Sequence, residues 1–321
     1  MALTLSELNA VTGDYCDGRS TDIYSSDNVL LWKLMSKGKM NANLVTPNEI
    51  VDNGENIRVV LEYASSNTGS YGKNTTIAQG KVKILNAARF RWAGYYASNA
   101  IDLDDKRANS GDAAYVDLVK TKLQNIEKTI RDNMGGEIYG SAADGDSFLG
   151  LGNLFNTTTS TTYGGIAEDD MAKWKANKDA TGGAITFAIL QAMRRGASVG
   201  QTNRAKPNLY ITTELLKDAF ENTLSLQSRY SDAELVTVGF ANIMFSSYAP
   251  VVADDKQTLG YCDALNLNFL SIKTHKDFAF TKPVWEHDKE QPDTEVANTR
   301  WSGQLVTSNR RAHYRKTGLT A

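Results

Sequence analysis

Three histidines, two cysteines and a scatter of carboxylates are the residues of this chain that could do chemistry. His275, His287 and His313 stand alone, with no His-x-x-x-His and no histidine–glutamate pairing at helical spacing. Nothing here points to the tetrahedral zinc sites built on such spacings. Cys16 and Cys262 belong to no CxxC or Cys/His cluster, and two cysteines cannot make a disulfide framework. They read as incidental or buried thiols in a reducing cytoplasm. Ser-His-Asp catalysis needs no fixed spacing, but the GxSxG elbow does not occur. Asp144-Gly145-Asp146 resembles a fragment of a calcium loop without the ligand spacing or the terminal glutamate, and reads as a tight turn. Gly150-Leu151-Gly152-Asn153 precedes no strand–helix phosphate cradle, and Gly164-Gly165 reads as a turn. No catalytic residue, metal ligand or cofactor-binding residue is named by these patterns. A cytosolic α+β enzyme using the turn-rich 135–170 segment as an active-site loop is the weaker reading.

The elements that would position such residues are more informative. The chain has 321 residues, enough for about two domains. Hydrophobic residues make up 41% and charged residues 22%, so a sizeable core is available and wholesale disorder is excluded. Lys plus Arg number 35 against 37 acids, which argues against a globally basic nucleic-acid binder. The first residues lack a basic region followed by an apolar stretch. Apolar runs elsewhere are only a few residues long, against the roughly 20 that a bilayer requires. Neither a secretory signal nor a membrane partner is expected, and the Asn-x-Thr sequons at Asn74 and Asn156 are chance matches.

Charge is distributed unevenly. The first 28 residues hold five acids, Glu7, Asp14, Asp17, Asp22 and Asp27, against Arg19. They read as an extended arm with a short helix near 26–35, whose Leu30, Leu31, Trp32 and Leu34 should be buried on something else. IRVVLEYA (57–64) and KVKILNAARFRW (81–92) read as two strands joined by a loop rich in Gly, Asn, Ser and Thr, a long hairpin. Residues 65–100 contain no acid but carry Lys73, Lys81, Lys83, Arg89 and Arg91. An isolated hairpin is marginal in water, so a long one must lie on its own domain or on a neighbour. From Val296 onward there is again no acid, while Arg300, Arg310, Arg311, Arg315 and Lys316 are present. This basic strand is either a solvated face or a surface turned to a polyanion or to a partner's acids.

Tyr115, Val119, Leu123, Ile126, Ile130 and Met134 are spaced as one stripe of a helix over about 112–134, with Asp112 as N-cap and Gly135 as terminator. TGGAITFAILQAMRRGAS contains a short helix ending near Gly196. NLYITT (208–213) is a buried strand, ELLKDAFENTLSLQSR (214–229) a helix, and ELVTVGF (234–240) and ANIMFSSYAPVV (241–252) are strands. Short strands return after 263.

This order resembles the major capsid protein of tailed bacteriophages, the Hong Kong 97-type fold. The likeness is carried by LNAARFRWAGYYASNAIDL (85–103) with the helix after it, by GEIYG (136–140), DGD (144–146), GLGNLF (150–155) and TYGGIAEDDMAKWKAN (162–177), and by KPNLYITTELLKDAF (206–220) and FANIMFSSYAPVVADD (240–255). The resemblance implies an α+β chain in four parts. These are an N-terminal arm (1–52), an extended β-hairpin (53–88), a peripheral domain with a long spine helix (89–144 and 263–321) and an axial α/β domain (145–262). It implies self-assembly as hexamers and pentamers into an icosahedral shell around double-stranded DNA, in a virion assembled in the host bacterial cytoplasm. Its partners would be a portal protein, a decoration protein and the packaged DNA. The roughly 50 residues ahead of the hairpin are too few for a fused scaffolding domain, so a separate scaffolding protein, or none, is expected. Tyr71, Lys73, Lys81, Lys83, Asp14, Asp17, Asp22 and Trp32 would be inter-subunit contacts, the acidic arm meeting the basic hairpin. Some relatives join a hairpin lysine to a neighbour's asparagine, and Lys73 and Asn309 are residues of that kind. An encapsulin, the same fold around cargo enzymes, is the alternative; the long hairpin speaks against it.

Overall fold

Residues 28–35, 48–51, 54–73, 76–77, 80–102, 104–105, 112–141, 145–158, 162–200, 202–224, 242–246, 249–288, 290–291 and 293–321 are described by the computed structural model of the protein. Asp14, Asp17, Asp22 and Cys16, the Tyr115 side chain and the expected strand at 234–240 lie outside them.

The chain enters through α1 (Val29–Met35). Asn28 caps it, its Oδ1 accepting the Leu31 N–H at 2.8 Å. Leu30, Leu31 and Leu34 are fully buried within the chain itself, and Trp32 is half-buried. This corrects the expectation that the stretch seeks cover on another molecule. So short a helix is unstable alone, and here it is held by the core it completes. After β1 (Asn48–Val51), β2 (Asn56–Glu62) and β3 (Leu85–Arg91) form the hairpin base, in register from Asn56–Arg91 to Glu62–Leu85. Ile57, Leu61, Ala88 and Phe90 point inward and are buried on the chain's own body. β4 (Ala93–Ile101) follows.

The spine helix α2 (Asp112–Glu137) buries Val119, Leu123, Ile126, Ile130 and Met134, as their spacing requires. Gly135 does not end it. The helix continues to Glu137, and the Asn28 Nδ2 donates to the Gly135 carbonyl at 3.2 Å. The chain just beyond the helix is closed by α3 (Leu151–Leu154): Leu151 N–H donates to Ile138 O at 2.8 Å and Gly152 N–H to Gly140 O at 2.9 Å. A Cβ on Gly150 would lie 2.5–2.7 Å from the carbonyl oxygens of Glu137, Ile138 and Gly140, so only glycine allows the approach.

β5 (Thr162–Tyr163) and β6 (Ile166–Ala167) flank Gly164-Gly165, both with positive φ, +63° and +75°, as a two-residue hairpin turn demands. Next come β7 (Asn177–Asp179), β8 (Gly183–Ala184), α4 (Phe187–Gly196), β9 (Leu209–Thr212), α5 (Glu214–Thr223), β10 (Asn242–Ser246), β11 (Ala249–Ala253) and β12 (Cys262–Leu265). β13 (Leu270–His275), β14 (Trp285–His287), β15 (Glu295–Thr307), β16 (Tyr314–Lys316) and β17 (Leu319–Thr320) complete the chain.

Two sheets organise these elements. The first runs β1-β13-β15-β14, with β4 also pairing β15. The second is six-stranded, β10-β11-β9-β12-β16-β7. The second sheet is covered on both faces: Leu209 and Ile211 join the core of the first sheet and spine helix, while Tyr210 faces the core under α4 and α5. That explains the continuous apolar run of β9. The chain crosses between sheets at points that differ from the expected boundaries. The division at 262/263 falls within β12, and β16 returns to the second sheet, so the last residues do not remain with the first.

Candidate assembly surface

The β2–β3 ladder alternates, and its second face is open. Arg58, Val60 and Glu62 from β2 and Leu85, Arg89 and Arg91 from β3 are exposed together. Beyond the ladder the two arms stay side by side: Tyr63 N–H donates to Ile84 O at 3.1 Å and Asn67 Nδ2 to Gly80 O at 2.6 Å. Tyr71 is 75% exposed, Ile77 61%, Val60 64% and Leu85 54%. Lys73, Lys81 and Lys83 are exposed on the same arms. This is an unusual concentration of bare apolar side chains with cations among them, of the kind that marks an interaction surface. The base carrying it is fixed. Arg89 N–H donates to Gly164 O at 2.8 Å, and Phe90 meets Tyr163 edge to face at 5.3 Å between ring centres.

The expected basic strand divides in two. Arg300 and Arg311 are exposed. Arg310 and Arg315 are not, which corrects their reading as polyanion-facing or partner-facing groups. Arg310 is 2% exposed and pairs with Glu168 at 2.9 Å. Its Nε donates to Leu154 O at 2.7 Å, its guanidinium also reaches the carbonyls of Asn156 and Trp174, and it lies over the Tyr163 ring. Arg315 meets Asp263 at 2.6 and 2.7 Å, buried between the rings of Phe155 and Tyr261. Burial is the reason: a charge withdrawn from water must be paired. Lys316 likewise donates to Asp179 at 2.5 Å, and that contact holds the carboxyl down to about 2.

His313 is buried and neutral, its pKa pushed down to about 3 by loss of solvent. Nδ1 accepts the Asn266 N–H at 3.2 Å, so Nε2 carries the proton toward Thr307 Oγ1 at 3.1 Å. Where α1, the spine helix and the second sheet meet, Asp254 Oδ2 accepts from the Tyr139 hydroxyl at 2.8 Å and from Val29 N–H at 3.3 Å. Burial pushes both Asp254 and Tyr139 upward. A cleft of about 450 Å³ between β4 and α2 contains Glu137 and Asp146, but Glu137 already accepts the Tyr95 hydroxyl. Among the described residues no three His, Cys, Asp or Glu side chains gather as metal ligands, and no helix is long and apolar enough to cross a membrane.

The sequence reading missed Arg58 and the shared face it forms with Arg89 and Arg91. The signal was the period-2 alternation of IRVVLE and LNAARFR, which puts the three on one side once the strands are paired.

No family model matches the sequence, and no curated protein matches it. Solved structures do. The chain is similar to the capsid asymmetric unit of Cyanophage A-1(L), at 15% identity and a TM-score of 0.65, over 88% of this chain and 95% of that one. It is similar to the capsid of the native GTA particle at 12% identity and TM-score 0.58, over 85% and 88% of the two chains. The holo-SrpI encapsulin complex from Synechococcus elongatus PCC 7942 matches at 11% identity and TM-score 0.55, over 85% and 84%. At such identities the likeness is one of architecture. With two sheets, a spine helix and a protruding hairpin in this order, the chain has the α+β Hong Kong 97-type capsid fold.

Proposed function

We propose that this chain is the repeating subunit of a capsid-forming shell, the major capsid protein of a tailed bacteriophage. Copies assemble as hexamers and pentamers into an icosahedral head around double-stranded DNA. The protein's work is mechanical rather than enzymatic. The observation that carries this reading is the open face of the hairpin and its arms, where Val60, Tyr71, Ile77 and Leu85 are more than half exposed. Each large apolar side chain brought under cover contributes about 1.5–3 kcal/mol, and contact with a neighbouring copy provides that cover. The fold shared with the cyanophage and GTA capsid chains supports the same conclusion. In this reading residues 53–88 lie on the adjacent subunit, residues 89–144 with the first sheet form the peripheral domain, and the second sheet with α4 and α5 forms the axial domain. A portal protein, a scaffolding protein, a decoration protein and the packaged DNA are its other partners.

The likeness to the encapsulin complex favours a second reading, a nanocompartment shell around protein cargo. Negative-stain microscopy of the purified chain, alone and co-produced with the products of neighbouring open reading frames, tests both. Shells, tubes or capsomers support assembly, and nuclease-protected DNA inside them supports the phage head over the nanocompartment. A uniform small monomer under all these conditions overturns both.

A further inference from the structure

β4 is an edge strand of the first sheet, paired only with β15 among the described strands. The ladder runs from Ala93–Gly303 to Ile101–Glu295 without a bulge. The direction of its backbone groups follows from the strand across. Arg300, opposite Tyr96, donates its N–H to Thr281 Oγ1 at 2.9 Å, and its carbonyl accepts the Thr281 N–H at 3.0 Å. Both groups face away from β4, so Tyr96 turns its own N–H and C=O away from β15. Gly94, Ser98 and Ala100 share that direction. The ends of this edge are closed. Gly94 N–H donates to Asp146 O at 3.0 Å. The Ala100 carbonyl accepts from Lys122 Nζ at 2.6 Å, and its N–H donates to Asn99 Oδ1 at 2.9 Å. Between them, the main-chain groups of Tyr96 and Ser98 meet no partner on that side among the described residues. An open edge is a template for another strand, and proteins commonly blunt it with a charge, a proline or a bulge. Tyr96-Ala97-Ser98 has none of these.

The cleft between β4 and α2 lies beside this edge, with Thr129, Asn133, Glu137 and Asp146 along its wall. A strand laid here would turn alternate side chains into the cleft and the others beside Tyr96, which is 76% exposed, and Arg300. Two carboxylates favour cations on the cleft side, and Arg300 disfavours them on the other. The end of the edge already shows this chemistry within the chain: the Lys122 ammonium bridges an edge carbonyl, Ala100 O, and a carboxylate, Asp105, at 2.6 Å each. We propose that the β4 edge is a docking site for one extended segment of a different protein. The segment adds as a strand beside Tyr96 and Ser98, with lysine or arginine side chains in the cleft and apolar ones over Tyr96. The edge and the cleft belong to one subunit, so the proposal does not rest on the shell reading. The lysine-bearing hairpin arms of a second copy are the rival occupant. They fit less well, because they are already joined to each other, Tyr63 N–H to Ile84 O at 3.1 Å, and would arrive as a two-stranded ribbon.

The test uses the full-length subunit and two end-blocked hexapeptides, one alternating lysine with valine and one alternating glutamate with valine. Residue-resolved hydrogen exchange is expected to show the Tyr96 and Ser98 amides protected by the lysine peptide and not by the glutamate peptide at the same concentration. Ser98→Pro removes an outward N–H without touching the β15 ladder. Subunit melting should then be unchanged while affinity for the lysine peptide falls about tenfold. Protection confined to other residues, an equal response to both peptides, or full affinity in Ser98→Pro overturns the proposal. Where Ser98→Pro does not fold, exchange in the unsubstituted chain decides alone. Particles assembled from the chain by itself supply the last arm. If their Tyr96 and Ser98 amides are already protected, and Lys81→Glu with Lys83→Glu releases them, the edge belongs to a second copy and the proposal falls.

Discussion

Arg315 and Asp263 face each other across β16 and β12 and join through two short bonds, 2.6 and 2.7 Å, in the interior of the second sheet. Gln257 completes the carboxylate's shell with a bond of 2.8 Å from Nε2. Removing one partner strands the other charge away from water. Asp263→Ala is expected to cost the unassembled subunit about 3–5 kcal/mol in denaturant unfolding. Arg315→Met with Asp263→Leu should recover most of it. A double variant as unstable as the single one would show that the pair contributes more than mutual neutralisation.

Arg310 acts at longer range, tying the C-terminal segment to the carbonyls of Leu154, Asn156 and Trp174. Arg310→Met should loosen residues 150–177 selectively. Hydrogen exchange is expected to rise there before it rises in α2, and Glu168→Gln should reproduce the effect more weakly. Uniform protection across the chain in Arg310→Met would refute this.

Acid should weaken the subunit through His313. Its folded pKa, about 3, lies below the unfolded value near 6.5, so the unfolded chain binds the extra proton between them. Stability is fully present above about pH 6.5 and falls as pH drops toward 3, by at most about 1.4 kcal/mol per unit. Asp254 has the opposite sign, because burial raises its pKa and protonation in the folded chain relieves a cost. His313→Gln should flatten the stability profile between pH 4 and 6.5. An unchanged slope would assign the acid sensitivity to other groups.

Gly164 and Gly165 are adjacent in the same turn, yet they should respond differently. Gly164 combines φ of +63° with a Cβ position only 2.9–3.0 Å from Ala88 and Phe90, whereas nothing lies within 4 Å of a Cβ at Gly165. Gly164→Asn is expected to unseat the hairpin base and lower thermal stability by several degrees. Gly165→Asn, which tolerates the left-handed conformation in open space, should be nearly silent. Equal effects at both sites would mean that the turn, not its contact with β3, decides.

Tyr71→Ser with Ile77→Ser removes exposed apolar surface without touching a buried residue. Subunit melting should stay the same while particle yield in microscopy falls. Lys81→Glu with Lys83→Glu should act in the same direction, more strongly at low salt than at high. Normal shells from both variants would remove the hairpin arms from the assembly surface.

Much of the frame was legible because its signals are local. The spacing of Val119, Leu123, Ile126, Ile130 and Met134, the apolar run of Leu209–Thr212 and the glycine pair of the β5–β6 turn each state their structure within a few residues. What was hidden depended on partners distant in sequence. Arg310 and Arg315 looked like a free basic face because Glu168 and Asp263 come far earlier in the chain. α1 looked unable to bury itself because the surfaces that cover it belong to α2 and β13, which the sequence does not place beside it. Gly135 read as a stop signal, yet the helix runs on to Glu137 and the Asn28 amide that its carbonyl accepts lies 107 residues earlier.

Asn28 has a mechanical consequence. It is fastened to the last turn of the spine helix through the Gly135 carbonyl, and the very next amide is fastened to Asp254 just past the end of β11 in the second sheet. Any tension drawn on residues 1–27 is therefore delivered at one rivet where both layers meet. A pull from outside would strain the joint between the layers before it reached the interior of either.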